Sequence, residues 1–164
     1  NYCIARNTGK VRLNLPRGTG RRATIHSAGS EVESVIVPAI NINDFFSQER
    51  IKGVELLKID IEGAEIDVFE TITLENLKKI NQLAVEFHDF LFPETADLVK
   101  AIKKKLKSAG FYGINFSFRT NGDVLFVKKE LISFFDYIYL NYFSRYLMGF
   151  ARLFRRFYFS RGLK

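Results

Sequence analysis

Two short runs hold the residues best suited to chemistry. Asp60-Ile61-Glu62-Gly63-Ala64-Glu65 brings three carboxylates into one turn, and Glu86-Phe87-His88-Asp89 sets an imidazole between two more. Carboxylates and an imidazole that converge on one spot suit proton abstraction or the holding of a divalent metal ion. Taken singly, each residue also has a plainer role. Asp60 or Glu62 can cap a following helix, where acids favour the dipole. Gly63 suits a tight strand-to-helix turn, His88 a structural hydrogen bond, and Asp89 the turn before Pro93. Spacing alone leaves both kinds of role open.

The two runs act together only if the elements that carry them end side by side. Leu56-Leu57-Lys58-Ile59-Asp60-Ile61 is apolar on both faces for most of its length, as central parallel strands are. Ile66, Val68, Phe69 and Ile72 follow at helical spacing, and Leu74, Leu77 and Ile80 extend the helical stretch. Gln82–His88 reads as a second strand, at an interval that suits a βαβ crossover. In open α/β sheets ligands sit at the carboxyl ends of the strands, so neighbouring strands put both runs on one rim.

The remaining elements complete an α/β pattern. Tyr2–Ala5 and Val11–Leu15 are extended runs around the turn Asn7-Thr8-Gly9-Lys10, and Pro16–Glu33 reads as a polar loop. Val35-Ile36-Val37 is a brief strand ended by Pro38, and Ile42–Ser47 a short helix with Asn43 or Asp44 as cap. Glu94–Ala109 is the clearest helix, with Leu98, Val99, Ile102, Leu106 and Ala109 on one face and a stop at Gly110. Phe111–Phe118 and Val124–Lys128 form an antiparallel hairpin around Asn121-Gly122. The expected fold is α/β: a mostly parallel sheet with an antiparallel hairpin at its C-terminal end.

Composition bounds these expectations. A chain of 164 residues, 47% apolar and 26% charged, has the makeup of one globular domain rather than a disordered segment. The single Cys3 excludes an internal disulfide framework and every multi-cysteine metal pattern, and fits a reducing, cytoplasmic setting. The chain opens Asn1-Tyr2-Cys3-Ile4, without an initiator methionine or a targeting segment, as expected of a processed chain or one cut from something longer. Its net charge of +7 is unevenly spread. Residues 1–130 carry 19 basic and 17 acidic side chains, whereas 131–164 carry six basic residues against Asp136 alone, with 12 of the 24 aromatics. The division is therefore a nearly neutral body, 1–130, and an aromatic, basic tail, 131–164, read as helical.

Resemblance adds a direction. Leu57-Lys58-Ile59-Asp60-Ile61-Glu62-Gly63-Ala64-Glu65, followed by Val68-Phe69-Glu70, resembles the hallmark of FkbM-type methyltransferases. Val37-Pro38 with Ile42-Asn43-Asp44-Phe45-Phe46 before it, and Ala84-Val85-Glu86-Phe87-His88 after it, are spaced as in that family. The resemblance covers roughly residues 1–130. It implies a Rossmann-like class I methyltransferase sheet, S-adenosylmethionine as cofactor, and methyl transfer to a hydroxyl, with a glycan or glycolipid as acceptor. It also implies roles: Asp60 and Glu62 face the cofactor–acceptor crevice, His88 or Asp60 is the base, and Glu86 orients it or binds substrate. A divalent ion held by Asp60 and Glu86 fits the same chemistry. The family's opening strand with its glycine-rich cofactor turn has no counterpart, since Gly18-Thr19-Gly20 follows no buried strand. The cofactor-binding residues are accordingly not assigned, and the chain reads as the C-terminal two-thirds of the family's domain.

The tail has its own chemistry. Asp136, Asn141 and Arg145 interrupt Leu131–Phe150, so a clean transmembrane helix is not expected. Phe150, Leu153, Phe154 and Phe157 at helical spacing, beside Arg152, Arg155 and Arg156, suit an interfacial helix on a membrane surface. Packing on the sheet or on a partner, or disorder, are the plainer alternatives. A rival to catalysis is a non-catalytic fragment or binding module that grips a membrane or an anionic partner through Arg17, Arg21, Arg22 and the tail. The near-neutral body and the lack of an aromatic sheet platform argue against nucleic acid.

Overall fold

The computed structural model describes residues 2–16, 32–91, 93–117, 120–144 and 146. Residues 17–31, which include the glycine pair and arginines noted above, and the basic end of the tail from 147 onward lie outside the described residues. The described chain forms two sheets and five α-helices, a mixed α/β fold.

The first sheet has the order β1-β3-β2, from β1 (Cys3–Ile4), β2 (Gly9–Pro16) and β3 (Val32–Ile40). The two runs read as flanking a turn do not pair with each other. β3 lies between them, antiparallel to β2 from Gly9↔Ala39 to Pro16↔Val32 and parallel to β1. Pro38 does not end this strand, because β1 reaches only Ala39 and Ile40 and the ladder has no donor to lose on that edge at Pro38. The helix α1 (Ile42–Gln48) follows, its first turn capped by Asn41, whose side chain accepts from the Asn43 N–H. Asn43, expected as a cap, is instead a cross-link. Its amide donates to Thr71 O at 2.9 Å, and its oxygen accepts from Thr73 N and from Asn76 Nδ2.

The second sheet holds both functional runs. Its order is β4-β5-β7-β6, from β4 (Val54–Ile59), β5 (Ile80–Val85), β6 (Phe111–Asn115) and β7 (Val124–Lys128). β4 and β5 are parallel neighbours, while β5–β7 and β7–β6 are antiparallel. The sheet is thus mixed rather than mostly parallel. After the single crossover from β4 to β5, the chain goes to the far edge and turns back, inserting β7 between β5 and β6. The helical stretch of that crossover divides into α2 (Glu65–Thr71) and α3 (Leu74–Lys78). Ile72 leaves helical geometry, and the Thr73 hydroxyl accepts from Asn76 N to start a new helix; Ile80 belongs to β5.

One face of this sheet is closed. Leu83, Val85, Phe126 and Phe111 pack with Val68, Phe69 and Ile72, and with Val99, Ile102 and Leu106 of α4 (Ala96–Ser108). The Phe87 ring stands between Phe69 and Phe126, at centroid distances of 5.9 and 6.5 Å. α4 is tied to α2 by a cation. Lys105 Nζ donates to Phe69 O at 2.7 Å and to Ile72 O at 3.0 Å, filling carbonyls that the end of α2 leaves open. Burial pulls the Lys105 ammonium below its ordinary pKa, and Glu70 pulls the other way. The opposite face is covered at β6 by α5 (Phe134–Ile138) and the π-helical turn Tyr139–Ser144. Tyr137 stacks on Tyr112 at 4.3 Å, and a Ser133–Asp136 capping box starts α5. Among the described residues the same face is open at β4, with Leu56 55% exposed. Lys105→Met should lower unfolding free energy by about 1 kcal/mol through the loss of both carbonyl contacts, read from the midpoint of a urea titration.

Candidate functional site

The rim forms where β4 and β5 end together. Ile59 is in register with Val85, and Glu86 N donates to Ile59 O at 3.0 Å, so the ladder carries one residue further and sets Asp60 beside Glu86. Side chains alternate along extended backbone. Val85 and Phe87 enter the core, and Glu86 and His88 take the intervening positions.

The turn after β4 is built around a residue that the sequence pattern hides. Glu65 is 1% exposed, and its Oε1 accepts from Ile61 N at 3.0 Å, Gly63 N at 3.2 Å and His88 Nδ1 at 2.9 Å. Neither Asp60 nor Glu62 caps α2. The position before the helix is Ala64, without a side-chain cap bond, and Glu65 reaches back to satisfy the turn's N–H groups instead. Holding that turn puts two successive residues at positive φ, Glu62 at 52° and Gly63 at 102°. Glycine adopts such angles freely, whereas a glutamate held there is strained, a condition that gathers at functional sites.

Four residues singled out by sequence therefore meet. His88 is 3% exposed, with Glu65 on Nδ1 and Glu62 Oε2 3.4 Å from Nε2. Asp60, Glu86 and His88 each present a ligand atom within 4.8 Å of the others. Lys58 Nζ lies 3.1 Å from Asp60 Oδ2 on an exposed chain. Two clefts flank the rim. One, of about 300 Å³, is lined by Lys58, Ala84, Glu86, Phe116, Asp123 and Leu125. The other, of about 470 Å³, is lined by Asp89, Phe90, Pro93, Asn115, Thr120 and Asn121. Beside that second cleft the His88 and Phe90 rings lie 5.8 Å apart, and Asn121 Nδ2 donates to Asp89 Oδ2 at 2.5 Å.

Comparison with known proteins gives this rim its context. A model of the Methyltransferase FkbM domain matches residues 2–112. The chain belongs to the FkbM methyltransferase family. Methyl transfer is the general chemistry of this membership, and S-adenosylmethionine its general cofactor. The match spans the first sheet, the β4–α2 turn and the β5 rim, so Asp60, Glu62, Glu65, Glu86 and His88 all fall within the FkbM domain. No curated protein and no solved structure matches the chain.

Sequence spacing presents Glu65 as one more acid in the first turn of a helix; its burial shows only in the fold. Glu65→Ala should cost about 3 kcal/mol or more, since it strands two turn N–H groups and the His88 N–H. Glu65→Gln keeps an acceptor oxygen and should cost less than half of that. Paired thermal melts with the two variants check the order.

Proposed function

We propose that this FkbM chain transfers a methyl group from S-adenosylmethionine to a hydroxyl of a glycan or glycolipid, with His88 as proton acceptor. The observation that carries the reading is the Glu65–His88 pair, 2.9 Å apart and buried at the joint end of β4 and β5. Glu65, already an acceptor for two backbone N–H groups, favours the tautomer with the proton on Nδ1 and leaves Nε2 facing the rim. The step is an in-line displacement: the sulfonium–carbon bond breaks as the oxygen–carbon bond forms, and the hydroxyl proton passes to Nε2. Asp60 is solvent-facing and its carboxylate is engaged by Lys58, which leaves His88 as the acceptor. Glu62 and Glu86 face the crevice as substrate-binding groups. Phe90 with the amides of Asn115 and Asn121 offers an aromatic surface and hydrogen-bonding groups in the larger cleft, which suits a sugar ring.

A membrane-borne acceptor fits the tail. Among the described residues no helix is long and apolar enough to cross a membrane. Phe134, Phe135, Tyr139, Tyr142, Phe143 and Tyr146 are nevertheless exposed, Phe135 by 82%. Such a surface suits headgroup depth on a cytoplasmic leaflet, where the chain would sit as a peripheral protein.

Calorimetry should detect S-adenosylmethionine binding, and a radiolabelled methyl assay over a glycan and glycolipid panel should detect transfer. His88→Asn should lower turnover at least 100-fold while cofactor binding stays within threefold. An absence of cofactor binding sinks the reading. Separately, anionic vesicles should co-sediment the chain, and F135D with F143D should reduce the bound fraction severalfold. Equal sedimentation of wild type and variant removes the membrane role.

A further inference from the structure

We infer that Asp60, Glu86 and His88 form a site for one divalent first-row transition-metal ion, such as Mn²⁺ or Zn²⁺. Their three ligand atoms already lie within 4.8 Å of one another. Donors bound at ~2.1 Å to one ion stand about 3–4 Å apart, so small side-chain rotations close the set.

A second observation concerns the imidazole itself. His88 is 3% exposed, and its Nδ1 is committed to a carboxylate that is itself buried and fixed by two backbone N–H groups. This carboxylate–imidazole pairing is the arrangement that orients metal-ligating histidines and raises their basicity. It turns the Nε2 lone pair toward the rim, where Glu62 Oε2 stands 3.4 Å away. A lone pair facing a carboxylate in a largely dry position is repulsive unless positive charge lies between them. A metal ion between them supplies that charge. Asp60 and Glu86 converge on the same point, so one ion there meets the imidazole and both acids.

The donor set narrows the class. One imidazole with two carboxylates is too hard for Cu(I), and the imidazole disfavours Ca²⁺, which takes oxygen ligands alone. Lys58 is the competing cation at Asp60, but on an exposed chain it is weakly held. Binding releases any proton on Nε2 and involves no redox change. The inference stands on these residues and needs neither cofactor nor acceptor, so it and the methyl-transfer reading can fail separately. Nε2 cannot hold the ion and accept the hydroxyl proton at once, so an ion retained through turnover removes His88 as proton acceptor from the reading above and leaves methyl transfer itself in place.

The test is titration of the 164-residue chain with Mn²⁺, followed by electron paramagnetic resonance, and with Zn²⁺ by calorimetry, both without S-adenosylmethionine. One ion per chain is expected, bound at least tenfold more tightly than Ca²⁺. Asp60→Asn and Glu86→Gln, which leave the core untouched, should each weaken binding tenfold or more. Glu65→Gln, which touches no ligand atom of the ion, should weaken it about 10- to 100-fold through His88. Failure of the wild-type chain to bind one equivalent of either ion overturns the site. Binding that survives the Asp60→Asn, Glu86→Gln double variant overturns it as well.

Discussion

A single buried oxygen organises the functional end of this chain. Glu65 Oε1 accepts from the N–H groups of Ile61 and Gly63 and from the ring of His88. The first two contacts hold the turn that follows β4; the third ties that turn to the segment that follows β5. Each partner alone is a costly buried group, and together they satisfy one another. The rim's acids are consequently positioned from behind. Asp60, Glu62 and Glu86 converge because the backbone beneath them is fixed by a residue that none of them resembles in burial.

Legibility in the sequence followed the strength of local signals. The strand before Asp60, the crossover, the long helix α4 and the hairpin were all readable, because apolar periodicity and the Gly110 stop announce them directly. Boundaries failed where a polar side chain settles a competition that periodicity cannot register. Thr73 restarts a helix in the middle of an apolar series, and Asn41 takes the cap expected two or three residues later. Strand partners were also hidden. Pairing of β1 and β2 through β3 depends on long-range register, and Pro38 falsely suggested an end because its tolerance depends on which edge of β3 is paired. At the site, residue types and the FkbM motif pointed to Asp60, Glu62, Glu86 and His88. The role of Glu65 was illegible for the same reason as the strand order: it rests on a contact 23 residues away in sequence.

The second sheet is unequally covered, and that inequality bears on function. Helices α2 and α4 close one face with aromatic and aliphatic side chains, and Lys105 locks the two helices to each other. On the other face, α5 shields the β6 side through Tyr137, while Leu56, Lys58 and Ala84 line open ground near Glu86. A packed back and a front left open by the described residues give the rim fixed geometry without sealing it.

The strained backbone at Glu62 sets two kinds of selection against each other. At a φ of 52° glycine fits best and asparagine and aspartate follow, and the first two of these lack a carboxylate. A lineage screened only for heat resistance would therefore drift toward a neutral residue at this position, and the rim would lose a charge without any loss of fold.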